Sequence, residues 1–295
     1  MKIAAATYPI NRFDTWSDWE HKARVWVEEA AGEGADLLVF PEYGAMELAS
    51  LTPKATTLVM QMSAVSGALP RAWDVWGRLA EQHGVHILAP SGPIIENGKP
   101  VNRAMFFTPT GARQAHDKSV MTPWEHDPMR VVPGAPPVLM QTALGRIGVL
   151  ICYDCEFPLA ARAMVESGAD LILVPSATET MAGFHRVRIG AQARALEGQI
   201  VVAHAPTQGQ APWCEVVDEN AGCAGIYVPP DIGFPSNGIL AQGVLNRPGW
   251  TFATVDLAAL AQVREAGGVR TRSDWPAHHD AATGHLPPIT TVDLR

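Results

Sequence analysis

The sequence predicts an α/β fold, and three observations predict it. Strand-like apolar runs alternate with helix-like runs along all 295 residues. One β-α-β unit occurs twice. No linker rich in Pro, Gly or Ser divides the chain, so one main domain is expected. The repeat is visible at its closing strand. Lys2-Ile3 opens the first unit, a helix follows, and Gly34-Ala35-Asp36-Leu37-Leu38-Val39-Phe40-Pro41 closes it. Arg146-Ile147 opens the second, and Gly168-Ala169-Asp170-Leu171-Ile172-Leu173-Val174-Pro175 closes it. The shared Gly-Ala-Asp before each strand and Pro after it favour duplication over chance.

Ile3 to Thr7 is a short strand. Asp18 to Ala31 has helical spacing, with Trp19, Ala23, Trp26, Val27 and Ala30 on one face and Gly32 and Gly34 as the stop. Asp36 to Phe40 is a fully apolar strand ended by Pro41. A helix marked by Trp73, Trp76, Leu79 and Ala80 leads to the strand Val85 to Ala89. Ala104 to Phe107 and Ala112 to Asp117 form a hairpin about Pro109-Thr110-Gly111. Beyond the second unit, His185 to Leu196 is helical and Gln199 to Ala205 is a strand. Further strands fall at Ala224 to Val228, Ile239 to Ala241 and Thr251 to Val255, and Leu257 to Glu265 is a last helix. From Gly267 onward the pattern is irregular: an arm over a neighbouring subunit or a loose terminus.

Hydrophobic residues make up 47% of the chain and charged residues 18%, which places it among globular proteins. A formal net charge of -8 disfavours nucleic acid or an anionic membrane as partner. No run approaches the roughly 18 apolar residues of a membrane span, and the N-terminus lacks signal-peptide features. Four cysteines are too few for a disulfide scaffold. The cytoplasm is the expected compartment.

The chemistry is expected at strand ends, where α/β folds place their sites. Cys152 follows the apolar run Gly148-Val149-Leu150-Ile151 and precedes Tyr153-Asp154-Cys155-Glu156-Phe157-Pro158. A thiol at such a strand-to-helix junction is expected to have a lowered pKa. Three readings stand for Cys152: a buried structural thiol, a Cys-x-x-Cys pair with Cys155, or a nucleophile. A redox pair fits poorly beside Asp154 and Glu156. Zinc fits poorly because Cys214 and Cys223 supply no second Cys-x-x-Cys. Glu42, in Phe40-Pro41-Glu42-Tyr43, is a base or a solvated loop carboxylate. Lys118 is an oxyanion stabiliser or a surface lysine, with Glu125 seven residues on to hold it. Among the histidines, His204 at a strand end is the best alternative base, although a merely hydrogen-bonded His is the commoner fate.

Glu42, Lys118 and Cys152, in that order, resemble the Glu-Lys-Cys set of the nitrilase superfamily, also called carbon–nitrogen hydrolases. Phe40-Pro41-Glu42 is similar to its Glu motif, Lys118 with Glu125 and Pro133-Gly134 to its Lys segment, and Ile147 to Asp154 with Phe157-Pro158 to its Cys motif. The resemblance runs from Lys2 to about Asp256. It implies a four-layer α-β-β-α sandwich of two mixed sheets over residues 1–266, with 267–295 as a C-terminal arm or tail. It implies Cys152 as nucleophile, Glu42 as general base, Lys118 and the Tyr153 backbone N–H as oxyanion donors, and Glu125 as a positioning group. Tyr43, Trp124, Ala177 and Glu179 are expected in the substrate pocket. Arg186 and Arg188 either recognise a substrate carboxylate or, by preference, form ion pairs. No metal or organic cofactor is implied. The expected partners are a small amide or N-carbamoyl substrate, water, and further copies of the chain in a homodimer or larger assembly.

Tyr153-Asp154 after the cysteine resembles the amide and carbamoyl branches rather than true nitrilases, which usually carry Trp-Glu there. Nitrile hydrolysis, acyl transfer and a non-catalytic role on the same fold are the alternatives. Leu159, Cys155, Glu156, Arg186 and Ala224 depart from the family pattern, and Cys155 is expected in the loop that shapes substrate entry.

Overall fold

A computed structural model describes residues 1–275. The chain runs β1 (Lys2–Pro9), α1 (Trp16–Gly32), β2 (Leu37–Val39), α2 (Leu58–His83), β3 (His86–Leu88), β4 (Gly92–Glu96), β5 (Lys99–Phe107), β6 (Arg113–Asp117) and α3 (Pro123–His126). It continues through β7 (Met140–Thr142), β8 (Gly145–Val149), α4 (Pro158–Glu166), β9 (Leu171–Ser176), α5 (Met181–Gly198), β10 (Val201–Gln210) and β11 (Glu219–Asn220). It closes with β12 (Gly225–Tyr227), β13 (Ile239–Gln242), β14 (Gly249–Thr254) and α6 (Leu257–Ala266).

The strands form two mixed half-sheets. Parallel β1, β2 and β3 carry antiparallel β14 on one side and β5 on the other, with β4 and β6 flanking β5. Parallel β8, β9 and β10 carry antiparallel β7 and the β12–β13 hairpin. The halves meet where β1 runs beside β10, with Tyr8 opposite Thr207 and Pro9 opposite Gln208.

Side-chain alternation along β1 explains the layers. Ile3 and Ala5 join Leu37, Val39, Leu88, Ile147, Val149 and Leu171 in one buried cluster, so this face meets the second half-sheet. Ala4, Ala6 and Tyr8 join Trp19 and Val27 of α1 and Val65, Leu69 and Trp76 of α2 in the other. Val187, Ala191 and Ala195 of α5 belong to the first cluster, behind the second half-sheet. Helices outside and sheets inside are the layer order expected for the α-β-β-α sandwich.

The repeat is reproduced bond by bond. Lys2 N donates to Asp36 Oδ2 at 2.7 Å, and Arg146 N to Asp170 Oδ2 at 3.1 Å. Asp36 N donates back to Lys2 O, and Asp170 N to Arg146 O, both at 2.8 Å. Gly34 and Gly168 hold φ of 76° and 95°, which an L side chain adopts only with strain. The Gly-Ala-Asp signature is therefore a joint: a left-handed glycine followed by an aspartate that clasps the opening strand.

Some elements extend past the sequence expectation. α2 begins at Leu58, capped by Thr57, and runs through Pro70. The strand β4, paired to β5 across Asn97-Gly98, has both turn residues at positive φ, as a tight hairpin demands. On α1, Trp19, Ala23, Val27 and Ala30 are buried, whereas Trp26 is half-buried with its edge against Tyr8 and Trp250. The start of the C-terminal segment is anchored: the Arg272 guanidinium donates to the carbonyls of Val165, Ala169 and Gly198. The rest of the expected arm, residues 276–295, lies outside the described residues. Among the described residues no helix is long and apolar enough to cross a membrane.

Candidate active site

Four strand ends converge on one cavity of about 530 Å³. β2 delivers Glu42 and Tyr43, β6 delivers Lys118, β8 delivers Cys152 and β9 delivers Ala177. Glu125 comes from α3, where it forms a reciprocal capping box with Thr122. Two of these residues have left-handed backbone, Tyr43 at φ 52° and Cys152 at φ 50°. Such conformations are costly for non-glycine residues and cluster at functional sites. The turn at Cys152 is fastened by Asp154, whose carboxylate accepts the N–H groups of Ile151, Ser119 and Val120. One side chain thereby ties the cysteine turn to the segment after Lys118.

Lys118, 1% exposed, is the hub. Its Nζ donates to Glu42 Oε1 at 2.7 Å and to Glu125 Oε2 at 2.6 Å. Tyr43 Oη donates to Glu125 Oε1 at 2.7 Å. Glu42 Oε1 also accepts Asn102 Nδ2 at 3.0 Å, and its Oε2 accepts the Ala177 N–H at 2.9 Å. The Cys152 thiol lies 3.8 Å from the Ala177 carbonyl.

Burial and neighbouring charge set the protonation states. Burial raises Glu42 to about 7; the Lys118 ammonium opposes that rise and the Glu125 carboxylate adds to it. Burial also opposes ionisation of Glu125, but Lys118 prevails and holds it below the usual carboxylate range. Burial disfavours charge on Lys118, yet Glu42 and Glu125 keep it protonated well above an ordinary lysine. Cys152 departs from expectation. Burial and the Glu42 carboxylate raise its pKa well above that of a free thiol, and Lys118 offsets this only in part. The resting thiol is protonated, because burial, aided by the Glu42 carboxylate, outweighs the Lys118 ammonium.

All nine expected site residues, Tyr153, Trp124 and Glu179 among them, line the cavity. Other expectations are corrected. Cys155 is fully buried with Sγ 3.9 Å from the Val187 carbonyl of α5, so it belongs to the core and not to the entry; its neighbour Glu156 lines the cavity instead. Arg186 lines the cavity but is 63% exposed and paired with Glu156 at 3.6 Å. Arg188 is not part of the lining. His204 is bonded through Nε2 to Ser176 Oγ at 2.8 Å and stacked on Phe184, away from the thiol. All four cysteines are free. Among the described residues, no group of three His, Cys, Asp or Glu side chains is arranged to hold a metal ion.

Several contributors escaped the sequence reading: Asn102, Ser91, Thr122, Asp154, Glu156 and Glu219. Ser91 Oγ donates to Asn102 Oδ1 at 2.7 Å and accepts Tyr43 N at 3.0 Å, which orients the amide toward Glu42. Only the Thr122-x-x-Glu125 spacing carried a local signal, that of a capping box.

This chain belongs to the carbon-nitrogen hydrolase family, whose model matches residues 2–236. It is 30% identical over 275 residues to a probable hydrolase of Bacillus subtilis, YhcX, covering 93% of this chain and 53% of that one. The chain thus spans about half the length of that relative. It is 27% identical to a deaminated glutathione amidase of Synechocystis, covering 83% of this chain and 88% of the relative. The crystal structure of Saccharomyces cerevisiae Nit3, a nitrilase-superfamily member, has the same fold: TM-score 0.71 at 20% identity, over 90% of this chain and 93% of that one.

Proposed function

We propose that this protein hydrolyses the carbon–nitrogen bond of a small linear amide or N-carbamoyl compound through a Cys152 thioester. The observation that carries the reading is the bonding of Glu42, shared between Lys118 and the Ala177 N–H, beside a thiol directed at the Ala177 carbonyl. A carboxylate titrating near 7 is matched to moving protons at neutral pH.

Glu42 takes the thiol proton as Sγ attacks the carbonyl carbon. The carbonyl electron pair moves to oxygen, where the Lys118 ammonium and the Tyr153 N–H meet it. Glu42 returns the proton to the leaving nitrogen, and ammonia or an amine departs from the thioester. Glu42 then deprotonates water, hydroxide attacks the thioester, and the acid leaves as the thiol is restored. Glu125 positions Lys118. Tyr43, Trp124, Ala177 and Glu179 form the substrate walls.

Ammonia release across a panel of amides, carbamoyl compounds and nitriles tests this, with mass spectrometry of the Cys152 adduct. Cys152→Ala, Glu42→Gln and Lys118→Ala are each expected to abolish turnover. Acid formed from nitriles but not from the matching amides would make it a nitrilase. Acylated hydroxylamine formed in preference to free acid would make it a transferase. We further propose that the chain self-associates through α5 and the start of α4, where Leu159 and Ile189 are 70% and 64% exposed. Sedimentation of Ile189→Asp against the parent chain tests it: the variant is expected to be smaller.

A further inference from the structure

The outer part of the cavity has an unbalanced charge. Three carboxylates line it, Glu156, Glu179 and Glu219, against one guanidinium, Arg186. Arg186 is already engaged by Glu156 at 3.6 Å. Glu179 and Glu219 are exposed, and no ion pair involves either of them among the described residues. Deeper in, Glu42 and Glu125 share the single ammonium of Lys118. The N-terminus of α5, just after Glu179, adds roughly half a positive charge, too little to reverse the balance. The remaining outer lining, such as Thr178, Val216 and Asn220, is uncharged.

A carboxylate at the far end of a substrate would therefore find no free cation, and would face two free carboxylates. An ammonium would find both. Glu179 stands two residues past Ala177, which bonds the base, and Glu219 stands on β11 opposite Gln210. They flank the approach to Cys152 from two separate elements.

We propose that this cavity selects amides whose far end carries a cation, recognised by Glu179 and Glu219, and excludes amides ending in a carboxylate. The proposal rests on reading the cavity as an amide-cleaving site. Its substrate class is the ω-amino amide or the carbamoylated diamine.

Two measurements separate the proposal from that reading. The first compares kcat/KM for an ω-amino amide, its neutral alkyl isostere and the ω-carboxy amide of equal length. The second compares the rates at which trimethylammonium-ethyl and sulfonato-ethyl methanethiosulfonates label Cys152, with Cys152→Ala giving the background from the other cysteines. Cation preference of at least about tenfold is expected in both, as a focused field of one sign produces. In the double variant Glu179→Gln/Glu219→Gln it should fall to within about threefold. Both positions are exposed, so the variant is expected to fold. Equal or faster reaction of the anionic probes and amides, or a ratio unchanged in the double variant, overturns the proposal. Neutral amides cleaved without charge preference would leave the amidase reading standing and this one refuted. Cation-selective labelling without any amide cleavage would refute the amidase reading and support the charge selection.

Discussion

Glu42 and Ala177 are joined by a 2.9 Å hydrogen bond across 135 residues, and the same alanine offers its carbonyl to the Cys152 thiol. One residue just past the end of β9 thus fixes the proton acceptor and aims the proton donor through its two flanking peptide groups. Neither side chain has to search for the other.

The pH profile should reflect Glu42. The base must be ionised to accept the thiol proton, and burial places its pKa at about 7. The thiol adds no competing limb, since its own pKa lies far higher. kcat/KM is therefore expected to rise with pH through about 7 and to fall about tenfold for each unit below it. A profile flat down to pH 5 would remove Glu42 as the base.

Asn102 should support that same group. Its amide donates to the ionised carboxylate, so losing it disfavours the charged form. Asn102→Leu is expected to lower kcat/KM at pH 7 roughly ten- to a hundredfold, the equivalent of the ~1.5–3 kcal/mol of a hydrogen bond to a charged group. The acid limb should also move above pH 7. A lowered rate with an unmoved limb would mean that Asn102 matters only for packing.

Asp154 binds three backbone N–H groups from two loops. In Asp154→Asn one acceptor oxygen becomes a donor facing those groups. The expected cost is about 1–3 kcal/mol at pH 7.5, read as a fall in Tm. Burial raises this carboxyl to about 6, against roughly 3.9 in the unfolded chain. Between those values the fold binds the extra proton and the parent gains stability as pH falls, so the penalty should be about 1 kcal/mol larger at pH 5 than at pH 7.5. A penalty independent of pH would show that the fold does not perturb this carboxyl.

His204 gives a stability test with a definite sign. Burial lowers its pKa to about 3, against roughly 6.5 in the unfolded chain. Between those values the unfolded state binds the extra proton, so this residue makes stability fall as pH drops below about 6.5. His204→Gln lacks that effect. Its destabilisation, measured in urea, is expected to be about 2 kcal/mol smaller at pH 5 than at pH 7.5. Equal values at both pH would mean that His204 is already charged in the fold.

Much of this molecule was legible in order of residues, because its decisive features are local. Period-two and period-3.6 patterns, Gly-Ala-Asp joints and proline stops each act within a few residues. So does the placement of Glu42, Lys118 and Cys152 at strand ends. Asn102 was illegible: an asparagine on a strand signals nothing until folding sets it beside a glutamate sixty positions away. The first half of α2 was obscured by Pro70, which the burial of Met62, Val65 and Leu69 overrides. The acidity of Cys152 was misjudged for the same long-range reason. Its own loop favours a thiolate, whereas burial by distant parts of the chain and the Glu42 carboxylate arriving from β2 oppose one.

Glu42, Asn102, Lys118 and Glu125 all lie in the first 125 residues, while Cys152 and Ala177 lie beyond them. During synthesis the proton-handling machinery therefore leaves the ribosome before the sulfur it serves. A nascent chain that pauses between the two carries a base with nothing to activate, and an emerging cysteine meets its base only once β9 has docked.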